Sequence, residues 1–198
     1  MNENLPKLVF ATQNPNKAAE ISRLLEGCFV VNTLADLCHT EDIPETSDTF
    51  SGNAHLKASF VKNKFGTDCF ADDSGLEVEA LGGAPGVFSA RFAGASKNDA
   101  ANMQKLLDAL GKETHRKAQF RTVICLMIGE ETHFFEGIIH GHITRKAKGE
   151  NGFGYDPVFI PEGYNKTFAE MAATEKSNIS HRGIAIRKMV SFLRERSI

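Results

Sequence analysis

The stretch KAQFRTVICLMIGEETHFFEGIIHGHI, residues 117 to 143, decides the fold of this 198-residue chain. It consists of two long runs rich in β-branched and aromatic residues, separated by the short sequence GEE. Two such runs with a glycine-containing break are typical of antiparallel strands joined by a turn. The sequence therefore predicts a long β-hairpin, around which the other elements are arranged.

The segments that precede the hairpin alternate between strands and helices. KLVFAT, residues 7 to 12, and FVVNTL, residues 29 to 34, are short apolar runs of the kind that form strands. A helix between them is predicted to begin at Asn14 as N-cap, with Pro15 at its first position. Apolar residues at spacings of three and four predict a second helix over residues 50 to 65.

The rest of the chain continues this mixture. CFA, residues 69 to 71, predicts a strand, and a helix is expected from about Lys97 to Leu110. A short strand at VFI, residues 158 to 160, precedes a last helix that begins near Ser180. A strand–helix–strand start combined with an antiparallel hairpin indicates an α/β protein with a mixed β-sheet and flanking helices.

Composition and charge exclude several functions. The chain is 41% hydrophobic and 24% charged, which are ordinary values for a folded globular protein. Its net charge of −2 gives no overall attraction to nucleic acid, so no stable nucleic-acid partner is expected. The apolar run VICLMI is far too short to span a bilayer, and the start MNENLPK is polar, so no membrane partner is expected.

The cysteines indicate a reducing compartment. Cys28, Cys38, Cys69 and Cys125 are scattered, with no C-x-x-C pair and no histidine at the spacing of a metal site. We interpret them as reduced thiols of the core in a cytoplasmic protein.

The acidic pair in FADDSGLEVEALGGAPGVFSAR, residues 70 to 91, indicates a site rather than core. Burying an unpaired carboxylate is costly, so Asp72 and Asp73 need a cation or donors beside them. Neighbouring residues on a strand point to opposite faces, and we expect a turn at Ser74–Gly75 to bring both carboxylates to one cleft. A DDSG surface turn is the plain structural alternative.

Two further stretches carry residues that suit phosphate. TQNPNK, residues 12 to 17, forms a strand-to-helix corner, where free backbone N–H groups and Lys17 could hold an anion. An ordinary helix start with a surface lysine is the alternative. PETSDTFSGNAHLK, residues 44 to 57, contributes Glu45 and Lys57, a weak signal because both residue types are mostly solvated.

Two stretches near the C-terminus suit a base or a carbonyl oxygen. NGFGYDP, residues 151 to 157, places aromatic side chains between glycines with Asp156 beside them, which provides a stacking platform and an acceptor. EKSNISHRG, residues 175 to 183, is expected to bring Lys176, His181 and Arg182 to the start of the last helix. A turn and a capped helix are the structural alternatives.

These stretches together resemble the inosine triphosphate pyrophosphatase family, which hydrolyses non-standard purine nucleoside triphosphates. TQNPNK is similar to the family's T-x-N-x-x-K phosphate motif, and FADDSGLEVEALGGAPGVFSAR, GFGYDPVF and EKSNISHRG are similar to its other signatures, in the same order. The resemblance covers nearly the whole chain. Gln13 departs from it, because the bacterial pattern usually has glycine there.

The resemblance implies a fold and a reaction. It implies an elongated mixed α/β sheet with two lobes around a central nucleotide cleft, formed by a single domain over residues 1–198, and a homodimer. The reaction implied is hydrolysis of dITP, ITP and XTP to the monophosphate and pyrophosphate, with Mg2+ held by Glu45 and Asp73. Asp73 would also activate water for attack on the α-phosphorus, and its choice over Asp72 rests on the resemblance alone.

The implied substrate-binding residues fall into three groups. Thr12 to Lys17, with Lys57 and Lys176, would hold the triphosphate, and Ser74 would contact substrate beside Asp73. Phe153 would stack on the purine, while the Asp156 region, His181 and Arg182 would recognise a 6-oxo base. The full set is Thr12, Gln13, Asn14, Pro15, Asn16, Lys17, Lys57, Ser74, Phe153, Gly154, Tyr155, Asp156, Lys176, His181 and Arg182.

Two other functions remain open at this point. A nucleotide sensor would bind a purine triphosphate without hydrolysing it, although the intact Asp72–Asp73 pair argues against this. A related pyrophosphatase acting on modified pyrimidine nucleotides would use the same phosphate chemistry.

Overall fold

The computed structural model describes residues 5–196 as six strands and five α-helices. The strands are β1 (Lys7–Phe10), β2 (Val30–Thr33), β3 (Cys69–Val78), β4 (Lys117–Ile128), β5 (Glu131–Ile143) and β6 (Phe159–Pro161). The helices are α1 (Pro15–Leu25), α2 (Phe50–Phe65), α3 (Asp99–Leu110), α4 (Ala173–Ile179) and α5 (His181–Glu195). Over this part of the chain, none of the helices has the length and apolar character that a membrane span requires.

The strands form one mixed sheet in the order β2-β1-β3-β4-β5-β6. β1 pairs in parallel with β2 and with β3, and β5 pairs antiparallel with β6. β4 and β5 are sheet neighbours separated by two residues, a connection that only an antiparallel hairpin allows. The predicted α/β class, mixed sheet and central hairpin are therefore confirmed.

Capping residues set the ends of the first two helices. The Asn14 side chain caps α1, and Pro15 is its first residue, as predicted. α1 ends at Leu25, before Gly27. α2 ends at Gly66, which has a φ of 63° in the left-handed region that glycine adopts without strain.

Two local predictions are wrong. β3 runs from Cys69 to Val78 without a break, so the DDSG stretch is extended strand and not a turn. The last helix begins at His181, next to the predicted Ser180, but the EKSN stretch expected at its start forms a separate helix, α4. Lys176 therefore lies in α4 and not at the start of the last helix.

The chain divides into two compact units. The first contains, among the described residues, 5–73, 122–136 and 183–196, and the second contains 74–121 and 137–182. The predicted single domain over residues 1–198 includes 1–4 and 197–198, which lie outside the described residues.

The first unit has a core on each face of its part of the sheet. Phe10 and Phe70 stack with ring centroids 4.8 Å apart and pack with residues of α1 and α5. Their sequence neighbours Val9 and Ala71 pack instead with residues of α2. Because side chains alternate along a strand, α1 and α5 cover one face and α2 covers the other.

The second unit has its own apolar core. Leu76 and Val78 of β3 pack with Phe120 of β4 and with Phe159 of β6. Residues of α3 and of the later loops complete this core. The Phe120 and Phe159 rings meet edge to face, with centroids 4.7 Å apart. This core supports the loop over residues 151–156 and helix α4.

The cysteine interpretation holds for only part of the set. All four thiols are free, and Cys69 and Cys125 are buried. Burial raises the pKa of the Cys69 thiol to about 11 and that of Cys125 to about 12, so both are inert. Cys38 is exposed, with a φ of 55°, and Cys28 is half-buried, so neither is a fully buried core residue.

Candidate active site

The first unit gathers carboxylates and lysines from both faces of β3. We call this group the acid–lysine cluster. It consists of Lys17 of α1, Glu45 of the loop before α2, Asn53 and Lys57 of α2, and Asp72 and Asp73 of β3.

Asp72 pairs with the lysine of the phosphate motif. The Lys17 Nζ lies 3.1 Å from Asp72 Oδ1 and 3.0 Å from Oδ2, and the Asp72 side chain is only 1% exposed. An ammonium shared between both oxygens compensates a buried carboxylate. Lys17 is therefore positioned by Asp72.

Asp73 faces a different helix. Its Oδ2 accepts a 3.1 Å hydrogen bond from Asn53 Nδ2, and its Oδ1 lies 4.0 Å from the Lys57 Nζ. The same ammonium lies 2.5 Å from Glu45 Oε1, so Lys57 bridges the two carboxylates that were predicted to hold metal. The predicted turn is unnecessary, because each aspartate meets its own lysine on its own face of the strand.

Burial and charge act in opposite directions at this site. Burial raises the pKa of the Asp73 carboxyl above its usual range, although Lys57, Lys17 and the Asn53 hydrogen bond oppose it. Burial acts to lower the pKa of Lys57, but the surrounding carboxylates outweigh it and hold that pKa above its ordinary value. Asp73 is thus a more basic carboxylate than usual beside a firmly charged lysine.

The predicted free N–H groups of the phosphate motif are already bonded. Asn14 Oδ1 accepts from the backbone N–H groups of Asn16 and Lys17 at 2.9 and 3.2 Å. Thr12 Oγ1 accepts from the Asn14 N–H at 3.1 Å, and Pro15 has no N–H to offer. Side chains such as Lys17, rather than an open nest of backbone amides, would meet a phosphate here.

The donor set of the cluster fits magnesium. Mg2+ prefers oxygen ligands and typically takes one or two carboxylates, with the rest supplied by water and substrate phosphates. Glu45 and Asp73 meet this requirement, because a single ammonium already brings them together. In residues 5–196 no group of three or more acidic, histidine or cysteine residues is arranged to hold a metal by itself. A metal held jointly with a phosphate matches these residues better than an all-protein cage.

The second unit gathers aromatic and cationic side chains. We call this group the aromatic–arginine cluster. It consists of Ser74, Phe153, Asp156, Lys176, His181 and Arg182.

Asp156 organises the glycine-rich loop. Its side chain is buried, and its Oδ2 accepts from Lys176 Nζ at 2.6 Å and from the Phe153 N–H at 2.9 Å. Gly152 has a φ of 77°, and a Cβ there would collide with this carboxylate. Lys176 is thus positioned by Asp156 as Lys17 is by Asp72, and because an ammonium has three donors, its role at the triphosphate stays a prediction.

The two basic residues at the start of α5 are held differently. His181 is 4% exposed and stacks on Phe120, with centroids 4.7 Å apart and planes 9° from parallel. Arg182 is 2% exposed and donates from Nη2 to Ser74 Oγ at 3.2 Å. The half-buried Phe153 ring lies near two cations, with Lys176 Nζ 4.9 Å and Arg182 Cζ 5.7 Å from its centroid.

Two predicted binding residues serve the loop itself. Tyr155 is buried, its hydroxyl donates to the Ser89 carbonyl at 2.9 Å, and burial raises its pKa above the ordinary value. The Gly154 N–H donates to Asp99 Oδ2 at 2.8 Å. These contacts fix the backbone that presents Phe153 and Asp156.

Sequence reasoning missed the partners of the predicted residues. Asn53 bonds Asp73, and its own Oδ1 accepts from the Ser47 N–H at 2.9 Å, which fixes the direction of its amide. Its position four residues before Lys57 on one helix face is a signal that could have identified it. Asp99 carries no comparable signal, because it is distant in sequence from Gly154.

The fold is that of an α/β protein with a mixed sheet, and each of its two units holds one cluster of charged side chains. The chain belongs to the Ham1 family, whose model matches residues 8–192.

Curated relatives cover almost the same length. A dITP/XTP pyrophosphatase from Flavobacterium psychrophilum is 54% identical over 189 residues, 95% of this chain and 99% of the relative. Another from Porphyromonas gingivalis is 54% identical over 190 residues, 96% of this chain and 98% of the relative.

Two solved structures of Ham1 proteins are similar to this chain over most of its length. A Ham1 protein from Coxiella burnetii superposes with a TM-score of 0.88 at 40% identity, covering 96% of this chain and all of that one (100%). The Staphylococcus aureus Ham1 protein gives a TM-score of 0.87 at 40% identity, covering 96% and 99% of the two chains.

Proposed function

We propose that this chain hydrolyses dITP, ITP and XTP to the nucleoside monophosphate and pyrophosphate, clearing non-standard purines from the nucleotide pool. The names of its 54%-identical relatives support this substrate class. The observation that carries the proposal is the environment of Asp73, a buried carboxylate of raised pKa beside Asn53 and Lys57.

The acid–lysine cluster handles the triphosphate in this proposal. Lys17 and Lys57 neutralise phosphate oxygens, and residues 12–16 present the side chains of the strand-to-helix corner. Glu45 and Asp73 would hold Mg2+, which supplies charge neutralisation at the phosphates when bound. Because both lysines are already positioned by carboxylates, little side-chain ordering is needed when the substrate binds.

Asp73 acts as the general base. It accepts a proton from a water molecule whose oxygen forms a bond to the α-phosphorus. The bond from the α-phosphorus to the bridging oxygen breaks, and pyrophosphate leaves with that oxygen. A carboxylate whose pKa is raised takes the proton more readily than an ordinary aspartate does.

The aromatic–arginine cluster recognises the base. Phe153 stacks on the purine, and His181 and Arg182 donate to the oxygen at position 6 of hypoxanthine or xanthine. Adenine carries an amino donor at that position, which would leave these donors unpaired. An unpaired buried polar group costs about 1 to 3 kcal/mol, or roughly tenfold to hundredfold discrimination.

The test is pyrophosphate release from inosine, xanthosine, adenosine and guanosine triphosphates, each with and without magnesium. Fast, magnesium-dependent release from the first two is the expected result. Equal turnover of all four would overturn the base recognition and keep the phosphate chemistry. Binding without product would favour the sensor, and preference for modified pyrimidine triphosphates in the same assay would favour the third function.

We also propose a cytoplasmic homodimer. The homodimer is what the resemblance to the inosine triphosphate pyrophosphatase family implies, and the free thiols suit a reducing compartment. Sedimentation equilibrium at micromolar concentration should give twice the chain mass of 21.7 kDa. A monomer under those conditions would contradict the dimer.

A further inference from the structure

The loop that carries Glu45 runs along helix α2 from its last turns to its first. We call residues 39–48, HTEDIPETSD, the acidic segment. His39, at one end, contacts Phe60 and Phe65 near the C-terminus of α2. Ser47, at the other end, donates its N–H to Asn53 in the first turns. The segment and the helix therefore run in opposite directions.

The side chains of the acidic segment alternate in burial, the pattern of an extended chain. Those of His39, Ile43 and Glu45 contact the first unit, whereas Thr40, Pro44 and Thr46 are exposed. The Glu41 carbonyl and the Ser47 N–H add backbone hydrogen bonds to the same unit. With this spacing, a slip of one residue would turn Glu45 away from Lys57. The register of the segment thus decides whether Glu45 meets the site.

His39 is the most deeply held anchor of this register. The residue is 6% exposed, and its ring centroid lies 4.9 Å from that of Phe60 and 6.3 Å from that of Phe65. The Lys64 Nζ lies 3.3 Å from His39 Nδ1. An ammonium can only donate, so Nδ1 is the acceptor in this contact. The ring is held by packing and by one directional hydrogen bond.

Packing alone does not account for a histidine at this position. His39 Nε2 is buried and has no hydrogen-bond partner among residues 5–196. A phenylalanine would fill the same space without that unpaired group, but it would not accept from Lys64. The hydrogen bond from Lys64 therefore distinguishes histidine from phenylalanine at this position, and it fixes the direction of the ring.

Gln13 provides a second, exposed anchor. Its Nε2 donates to the Glu41 carbonyl at 2.6 Å, four residues before Glu45. This bond ties the acidic segment to the phosphate motif that contains Lys17. Both anchors hold residues that precede Glu45 in the chain, in the stretch between β2 and α2 that forms no strand or helix.

We propose that His39 is a positioning residue for Glu45, which it places beside Lys57 and Asp73 by fixing the register of the acidic segment on α2. The inference rests on the proposed function for the part played by Glu45 at the metal. The fixed register itself is a property of the resting protein. Loss of the anchor should weaken metal binding while the chemical step, at saturating metal, is preserved.

The first measurement is amide hydrogen exchange on the resting protein. In His39→Ala, peptides covering residues 39–48 should exchange at least about tenfold faster than in the wild type, because local opening becomes easier. Peptides from α3, in the second unit, should be unchanged. The matched control is His55→Ala, which removes an exposed α2 histidine that packs on Phe134. It should leave exchange in the acidic segment as in the wild type.

The second measurement is the magnesium dependence of pyrophosphate release. Changes in residues that support metal ligands commonly cost about 10- to 100-fold in metal affinity, so His39→Ala should raise the half-saturating magnesium concentration about tenfold. Its kcat at saturating magnesium should stay within about threefold of the wild type. His39→Phe, which keeps the ring volume and so the fold, should give an increase of about threefold from the lost hydrogen bond.

The outcomes separate this inference from the proposed function. Unchanged exchange and an unchanged magnesium requirement in both His39 variants would overturn it, as would an equal effect of His55→Ala. A wild-type protein without turnover would overturn the proposed function, while the exchange experiment would still decide the register. If His39→Ala does not fold, His39→Phe with wild-type exchange and magnesium requirement would overturn the inference.

Discussion

The acid–lysine cluster and the aromatic–arginine cluster both combine carboxylates with cations, but in opposite proportions. In the first, Lys17 and Lys57 each face a different aspartate, and a third carboxylate, Glu45, shares Lys57. In the second, a single carboxylate, Asp156, accepts hydrogen bonds from Lys176 and from a backbone N–H. The first cluster has an excess of negative charge, and the second has an excess of positive charge.

That difference indicates which part of a substrate each cluster suits. An excess of carboxylate oxygens beside lysines suits a metal-chelated phosphate and proton transfer. An excess of cations around a half-buried ring suits a flat, oxygen-bearing base. Asp73 and Ser74 are neighbours on β3, yet the first belongs to the acid–lysine cluster and the second to the aromatic–arginine cluster.

Replacing Asp73, the proposed general base, should give the largest effect. Asp73→Asn should lower kcat by about a thousandfold, because the amide cannot accept the proton from water. The amide oxygen can still accept from Asn53, so the melting temperature should change little. Steady-state pyrophosphate release measures kcat, and thermal unfolding measures the melting temperature. A larger kcat loss in Asp72→Asn than in Asp73→Asn would instead place the base at Asp72.

Replacing Lys57 should change the pH dependence of the reaction. The charge of Lys57 lowers the pKa of Asp73 against the effect of burial, so Lys57→Met should raise that pKa further. The base works only when deprotonated, so the acid limb of kcat/KM should move to higher pH. In mildly acidic buffer kcat/KM should fall about tenfold or more. Lys62→Met, on the same helix but paired with Asp68, is the control and should leave the limb in place.

Replacing the stacking ring should affect binding and not chemistry. Phe153→Leu should raise KM for inosine triphosphate about tenfold, since stacking on a base contributes about 1 to 3 kcal/mol. The half-saturating magnesium concentration should be unchanged. Tyr164→Leu removes another aromatic ring of the second unit, 42% exposed, and should change neither constant. A lower kcat with an unchanged KM in Phe153→Leu would contradict the division between the clusters.

The sequence predicts most of the fold because its signals are local. Alternating and apolar runs indicate the hairpin, and Asn14 with Pro15 indicates the start of α1, where the structure has it. The prediction of a turn in the DDSG stretch was wrong for a physical reason. Small polar residues favour turns, but pairing within the sheet kept β3 extended across them.

The sequence indicates charged residues that the structure brings together, but not how they pair. The acid pair, Lys17 and Lys57 could be found because charged residues beside buried strands need compensation. That Lys17 serves Asp72 while Lys57 serves Asp73 depends on which helix covers which face, a tertiary property. The same holds for the bond between Asp156 and Lys176, which lie twenty residues apart.

Asp68 gives the smallest effect and the sharpest contrast with Asp73. Its Oδ1 accepts from Lys62 Nζ at 2.8 Å and from the Gly129 N–H at 3.0 Å. Burial acts to raise the pKa of Asp68, but these bonds and the Lys62 charge outweigh it and hold the pKa below the ordinary value. A carboxyl whose pKa is lowered in the folded state stabilises the protein above the pKa of the unfolded chain. That stabilisation is lost as the pH falls through the folded-state pKa.

Asp68→Asn should therefore lower the free energy of unfolding by about 1 kcal/mol or less at neutral pH, because the side chain is 42% exposed and its ion pair is screened by solvent. The difference from the wild type should shrink as the pH falls below about 4, the ordinary pKa of an aspartate, towards the lower pKa of folded Asp68. Urea unfolding at a series of pH values measures this, and kcat should be unchanged. Asp68 and Asp73 both contact α2 through a lysine, and their pKa values move in opposite directions because Asp73 is the more deeply buried. A kcat loss in Asp68→Asn as large as that of Asp73→Asn would mean that local surroundings do not separate the structural carboxylate before β3 from the proposed base on it.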